Sequence, residues 1–431
     1  MRLSISGGRP LVGHVSVPGD KSISHRALIF GALAKGPTNI TGLGTGADIQ
    51  STAACLRQLG VEIAAHEVRR QSVTVVQGRG FRGLSSPKEK LDCGNSGTTM
   101  RLLMGIVAGH DMTATFTGDA SLRRRPMKRV AEPLSRMGAE IKLKGGVAPL
   151  TVKGAALRGI DFVSPVASAQ LKSAVLLAGC LGEGATSVTE PAASRDHTER
   201  MLEFFGVPVT REGLRVTVQG GSRLTGAPVR VPGDPSSAAF WAVAGTLVPG
   251  SSLSLQEVAA NPTRTAFLDV LERMGACLSR EIWPKGIIGA PEPVADLIIK
   301  AAPLKATDIE SAEVPALIDE VPILALAASQ AEGTSTFKGL GELRHKESDR
   351  LAAIAEILTA FGARAAVSGD DLVISGPAKL HAAKIDPKKD HRLAMTALVA
   401  GLLTQGETTI LGGDCIAISY PSFYDELKNC Y

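Results

Sequence analysis

The sequence predicts an α/β protein of two domains, each built from three copies of one αβ unit. Three observations carry that expectation. Val15-Ser16-Val17-Pro18-Gly19-Asp20 returns as Val229-Arg230-Val231-Pro232-Gly233-Asp234, and the match runs without gaps to Gly36 and Gly250. A looser plan recurs six times: a polar helix start, a helix of small apolar residues, a glycine-containing turn, and a strand rich in Thr and Ser. The length, 431 residues, exceeds what one hydrophobic core usually serves.

The first unit opens at Pro18-Gly19, a turn signal, behind which Asp20 or Ser22 can cap the helix that runs through Ala27-Leu28-Ile29-Phe30-Gly31-Ala32-Leu33-Ala34. Lys21, Ser22 and Arg26 crowd this start, and spacing of four puts Ser22 and Arg26 on one face. The six small-apolar helices begin near Ser22, Thr98, Ser168, Ser236, Asp319 and Asp390. Their strands read Thr38-Asn39-Ile40-Thr41, Thr113-Ala114-Thr115-Phe116, Thr186-Ser187-Val188-Thr189, Ser252-Leu253-Ser254-Leu255, Thr334-Ser335-Thr336-Phe337 and Thr408-Thr409-Ile410-Leu411. A second, amphipathic helix follows in each unit and stops at Gly60, Gly138, Gly206, Gly275 or Gly362, the left-handed residue expected just past a helix. The last copy, from Tyr420 to Leu427, runs out at the chain end.

Small-apolar helices are expected inside, with amphipathic helices facing sheets. Three units per domain and the repeated Val-Pro-Gly-Asp place the chain crossings near Pro18 and Pro232. Residues 1–18 with 232–431 then form one domain and residues 19–231 the other. Paired crossings that act as hinges would let a cleft close on a ligand.

Composition narrows the function. Net charge is +5, yet no basic run exceeds Arg123-Arg124-Arg125, and only 4% of residues are aromatic. Nucleic acid calls for a basic stripe with stacking rings, so a small anion fits better. With 47 glycines and few rings, cores of small aliphatic residues and close-packed helices are expected. Cys55, Cys93, Cys180, Cys277, Cys415 and Cys430 make no C-x-x-C pair or zinc spacing and read as free thiols in a reducing compartment. No stretch approaches a membrane span, and Met1 to Ser6 leads into a strand pattern rather than a secretory signal. A cytoplasmic protein follows.

The polar helix starts carry the candidate chemistry. They are Lys21-Ser22 with Arg26, Asn95-Ser96-Gly97-Thr98 with Arg101, Ser168-Ala169-Gln170 with Lys172, Asp234-Pro235-Ser236-Ser237, Asp319-Glu320 and Asp390-His391-Arg392. Loops add Arg123 to Pro126, Ser194-Arg195-Asp196-His197 and His345-Lys346-Glu347-Ser348-Asp349-Arg350. A single such start is a cap with a solvated charge; recurrence at equivalent points of repeated units brings helix N-termini and cations to one face. That makes a cage for polyanions, with arginine pairing phosphate and carboxylate through parallel hydrogen bonds. Asp319 and Glu347 lie among the cations and can serve as acid or base. Equally, Asp319 can be a plain N-cap before Val321, and Glu347 a cap or an ion-pair partner of Arg350. There is no nucleotide P-loop and no G-x-S-x-G elbow, and Gly42-Leu43-Gly44-Thr45-Gly46 reads as a turn into the helix starting at Asp48. Asp92 and Asp370-Asp371 lack placeable metal-binding partners, so no metal is assigned.

These motifs resemble a known family. Val17-Pro18-Gly19-Asp20-Lys21-Ser22 with Ser24-His25-Arg26, Gly94-Asn95-Ser96-Gly97-Thr98, Gly118-Asp119-Ala120-Ser121, Ser168-Ala169-Gln170, Lys346 to Arg350 and Asp390-His391-Arg392 are similar to the 3-phosphoshikimate 1-carboxyvinyltransferase (EPSP synthase) family from about residue 3 to 424. Arg125-Pro126-Met127 and Ser168 to Lys172 resemble its glyphosate-tolerant branch. The resemblance implies two domains of three units joined by two crossover strands, an inside-out α/β barrel of the EPT/RTPC-like type. It also implies transfer of the enolpyruvyl group of phosphoenolpyruvate to the 5-hydroxyl of shikimate 3-phosphate, in a monomer with no cofactor. By position, Lys21, Ser22 and Arg26 would hold the shikimate ring and carboxylate, and Lys21 would also reach phosphoenolpyruvate. Ser168, Ala169, Gln170 and Arg195 would lie along shikimate 3-phosphate. Arg125, Arg350 and Arg392 would clamp phosphoenolpyruvate, beside Gly97 and within reach of Gln170. Asp319 would take the proton of the hydroxyl, Lys346 would sit near it, and Glu347 would protonate the methylene carbon.

Three positions depart from the family pattern. Ala169 replaces a serine, so that phosphate contact must come from backbone or Arg195. Ile418 stands where some relatives carry a phosphoenolpyruvate-binding lysine. Gly97 leaves open the space that alanine's methyl fills in tolerant enzymes, which favours inhibition by glyphosate. The related transfer to UDP-N-acetylglucosamine is the alternative enzyme; its Lys-Asn pair is Lys21-Ser22 here, and the loop Asp119 to Arg123 lacks its cysteine. A non-catalytic anion-binding protein on the same fold is the other alternative; Lys21, Asp319, Glu347 and the clamp arginines speak against it.

Overall fold

A computed structural model describes residues 1–68, 71–283 and 288–430. The chain divides into two compact units. The inserted unit comprises Gly19–Val231 with Ile287–Glu292; the terminal unit comprises Met1–Pro18, Pro232–Gly286 and Pro293–Tyr431.

Each unit is assembled from small, separate sheets, and one strand order recurs. In the inserted unit, Leu91–Asp92 lies parallel to Thr113–Thr117, which pairs antiparallel with Leu150–Lys153, which pairs in turn with Glu140–Leu143. Asp161–Val163, Ala185–Thr189, Arg215–Gln219 and Val209–Glu212 repeat the order. So do Val12–Val15, Ser252–Ala259, Val294–Lys300 and Cys277–Ile282 in the terminal unit.

The Val-Pro-Gly-Asp repeats are where leading strands are exchanged. Val12–Val15 precedes the helix Lys21–Leu33 in the chain but pairs with Ser252–Ala259. Val229–Arg230 precedes the helix Pro235–Leu247 but pairs with Lys35–Thr41. The incomplete last repeat borrows the N-terminus: Arg2–Ser6 runs antiparallel to Glu407–Leu411, with Lys384–Ile385 on the other side.

The small-apolar helices are buried on every side, as their composition requires. In Lys21–Leu33 every residue from Ile23 onward is buried, including Arg26 and His25. Pro235–Leu247, Val321–Gln330 and His391–Leu402 pack on one another inside the terminal unit, with sheets outside them. Glycine permits this closeness. A Cβ on Gly105 of the helix Gly97–Ala108 would lie 2.3 Å from the carbonyl oxygen of Ala174 on Ala169–Leu181. The second helices are amphipathic, and Gly60, Gly138, Gly206, Gly275 and Gly362 end five of them with positive φ.

Asp20, not Ser22, is the first N-cap: its carboxylate accepts from the Ile23 N–H at 2.7 Å. Among the described residues no helix is long and apolar enough to cross a membrane.

Candidate active site

In the inserted unit, polar side chains gather at the N-termini of three buried helices. The Lys21 ammonium is paired with the carboxylate of Asp48, near the start of the helix Ala47–Gln58. Arg26 is 2% exposed and donates to Thr198 Oγ1 and Ser173 Oγ, each at 2.7 Å, and to the Ser22 carbonyl at 3.0 Å. Burial pulls its guanidinium down to about 10, partly offset by Glu199. Behind it the His25 ring is buried on Thr52 Oγ1 at 2.6 Å; burial, then Lys21 and Arg26, hold it well below the usual histidine range.

Ser96 caps Gly97–Ala108 by accepting from the Thr99 N–H. Gly97 sits beside two arginines: a Cβ there would lie 2.6 Å from Arg101 Nη1 and 3.5 Å from Arg125 Nη1. Arg125 donates to Asn95 Oδ1 at 2.9 Å, and Arg101 donates to Gln170 Oε1 at 2.5 Å while Gln170 donates to Thr98 Oγ1 at 2.9 Å. Ser168 caps Ala169–Leu181, where Ala169 follows it half-buried. Arg195, also half-buried, precedes the helix His197–Phe204.

In the terminal unit the predicted residues form one charged cluster around Asp319. Its carboxylate lies 3.4 Å from Lys346 Nζ, 3.5 Å from Arg350 Nη1 and 3.7 Å from Arg392 Nη2, and its backbone carbonyl accepts from Arg392 Nη1 at 3.1 Å. Arg350 is 1% exposed and bonds Glu347 Oε2 at 2.5 Å and Asp390 Oδ2 at 2.8 Å. Burial works against its charge, but Asp390 and Glu347 outweigh it and raise the guanidinium above its ordinary value. Asp390 also caps His391–Leu402 through the N–H groups of Arg392 and Leu393. A carboxylate faced by three cations, with a second carboxylate sharing Arg350, can bind anions and move protons at one place.

A model of the EPSP synthase (3-phosphoshikimate 1-carboxyvinyltransferase) family matches residues 5–427. The chain belongs to that family. It is therefore an enzyme, a transferase of the shikimate pathway. A 3-phosphoshikimate 1-carboxyvinyltransferase of Synechococcus sp. (strain JA-3-3Ab) is 52% identical, over 99% of this chain and 96% of that protein. An EPSP synthase structure from Acinetobacter baumannii superposes with a TM-score of 0.87 at 42% identity, covering 100% of this chain and 98% of that one. The enolpyruvyl transferase NikO from Streptomyces tendae, at 18% identity, shares the fold: TM-score 0.77 over 99% of this chain and 96% of its own.

Seen as an EPSP synthase family site, the predicted residues fall into two groups. Lys21, Ser22, Arg26, Gly97, Arg125, Ser168, Ala169, Gln170 and Arg195 belong to the inserted unit; Asp319, Lys346, Glu347, Arg350 and Arg392 belong to the terminal unit. Asp319 is not a helix cap: the following helix starts at Val321, with Glu320 at the cap position. Of the two structural readings of Glu347, the ion pair with Arg350 is the one present. Lys172 is no part of an open cationic wall; it is 3% exposed between Glu190 and Glu199, 2.8 Å from each. The Asp234-Pro235-Ser236 start is closed on itself: Arg264 donates to Asp234 and Ser236, and Ser236 to Glu320. Ile418 packs against the apolar core and supplies no charge. Asp48, Asp390 as partner of Arg350, and Glu190 were not marked by the sequence, because each acts through a partner distant in the chain. Among the described residues no group of three or more His, Cys, Asp or Glu could hold a metal.

Proposed function

We propose that the chain transfers the enolpyruvyl group of phosphoenolpyruvate to the 5-hydroxyl of shikimate 3-phosphate and releases phosphate, using the two residue groups described above. The observation that carries this reading is the Asp319 cluster: a base candidate and an acid candidate, Glu347, share Arg350, at 3.5 and 2.5 Å. Lys21, Ser22 and Arg26 bind the shikimate ring and carboxylate; Ser168, Ala169, Gln170 and Arg195 line its phosphate side. Arg125, Arg350 and Arg392, with Lys21, Gly97 and Gln170, receive phosphoenolpyruvate.

Glu347 gives a proton to the methylene carbon, leaving a cationic carbon at C2. The hydroxyl oxygen bonds to that carbon as Asp319 takes its proton, with Lys346 beside the developing oxyanion. The methyl carbon then returns a proton to Glu347, the C–O bond to phosphate breaks as the departing phosphate takes up the proton held by Asp319, and the double bond is restored. Fixed cations replace water around both anions, so their repulsion is offset before reaction begins. The enzyme acts as a cytoplasmic monomer on two small soluble acids.

The test is phosphate release from phosphoenolpyruvate measured with and without shikimate 3-phosphate. Release that requires shikimate 3-phosphate supports the reading; release indifferent to it, or none, contradicts it.

A further inference from the structure

Glu190 follows the strand Ala185–Thr189 and is 5% exposed. One of its oxygens accepts from the Ser168 backbone N–H at 2.8 Å. The other accepts from Ser194 Oγ at 2.7 Å and meets Lys172 Nζ at 2.8 Å. Lys172 also meets Glu199 Oε1 at 2.8 Å and reaches the Ser194 carbonyl at 3.5 Å. One buried carboxylate therefore joins the Ser168 turn to the loop that carries Arg195, although these segments come from different elements.

Two carboxylates share the Lys172 ammonium. Glu190 faces Lys172, while Glu199 faces Lys172 and lies within electrostatic reach of Arg26. Burial opposes the Lys172 charge, but Glu199 and Glu190 outweigh it and raise the ammonium above its ordinary value. Both oxygens of Glu190 are engaged, and a buried charge with its partners satisfied holds its geometry tightly. Hydrogen bonds weaken steeply with stretch and misalignment, so the spacing between two walls of an anion site controls its affinity.

We propose that Glu190, locked against Lys172, is a positioning residue that holds the Ser168 turn and the Ser194–Arg195 loop at the spacing a phosphate monoester requires, and so sets affinity for the phosphate of shikimate 3-phosphate. This rests on the placement of that phosphate near Ser168 and Arg195.

The test compares wild type, Glu190→Gln and Ser194→Ala by calorimetric titration with shikimate 3-phosphate and with shikimate, which lacks the phosphate, alongside steady-state kinetics. Glu190→Gln keeps the shape but removes the charge opposite Lys172 and sets its NH2 against a donor, either Lys172 with Ser194 or the Ser168 N–H; it is expected to weaken shikimate 3-phosphate about tenfold to a hundredfold. Ser194→Ala removes one donor to Glu190 but leaves both charges of the Glu190–Lys172 pair in place, and is expected to weaken it about threefold to tenfold. In both, shikimate affinity and saturated kcat change by less than about threefold, a selectivity that general loosening of the fold would not produce. Unchanged shikimate 3-phosphate affinity in both variants, or an equal loss for shikimate, overturns the proposal. Wild type that fails to bind shikimate 3-phosphate overturns instead the functional reading beneath it.

Discussion

Arg350 Nε lies 2.8 Å from Asp390 Oδ2, with Arg350 1% exposed and Asp390 fully buried. The same aspartate caps His391–Leu402, so one side chain supports both a helix and an arginine of the candidate site. Asp390→Ala removes the cap and one buried counter-charge and is expected to cost about 3 kcal/mol or more. Asp390→Asn retains a capping oxygen and is expected to cost about 1–2 kcal/mol less than alanine. Urea unfolding of the two variants checks this ordering; equal losses would show that the cap contributes nothing.

Asp319 is a candidate base rather than a helix cap, so its removal should spare the fold. Asp319→Ala is expected to lower kcat by about 10²–10⁴ while shikimate 3-phosphate affinity stays within about threefold. Steady-state kinetics with a binding titration separates the two effects. A kcat near wild type would refute the assignment.

At Gly97 the nearest obstruction to a methyl group is the tip of Arg101, a flexible side chain, rather than backbone. Gly97→Ala should therefore fold normally, with Tm within about 2 °C of wild type. Displacing Arg101 weakens its 2.5 Å bond to Gln170, and KM for phosphoenolpyruvate is expected to rise about tenfold. An unchanged KM would show that Arg101 and Gln170 lie off the phosphoenolpyruvate site.

His25 and His110 are both held below the usual histidine range, chiefly by burial. For a group whose pKa is lower folded than unfolded, the stabilisation is fully present above the unfolded value and is lost as pH falls towards the folded one. Stability should thus be level above about pH 6.5–7 and fall below it. His25→Gln should make that acid-side fall shallower. Urea unfolding at neutral and mildly acid pH, with and without the substitution, measures the difference; identical slopes would contradict it.

Repeated motifs made the units, their buried helices and their glycine stops legible, because each is a local pattern of burial or backbone conformation. Pairing between distant elements was not. The strands Val12–Val15 and Val229–Arg230 have the same composition signal wherever they pair, so nothing local tells which sheet each completes. Lys172 looked like Arg26, a cation one turn into a buried helix; only the approach of Glu190 and Glu199 distinguishes them. Asp48 looked like a helix start and is the partner of Lys21.

In the proposed mechanism Glu347 exchanges a proton with the methylene carbon of phosphoenolpyruvate. Proton NMR of the vinyl signals in heavy water, with enzyme, phosphoenolpyruvate and shikimate 3-phosphate together, reads that step directly. Deuterium entering the methylene group with wild type, and at least about a hundredfold more slowly with Glu347→Gln, is the expected result. No incorporation with wild type during turnover, or equal incorporation with Glu347→Gln, would rule out proton exchange through Glu347.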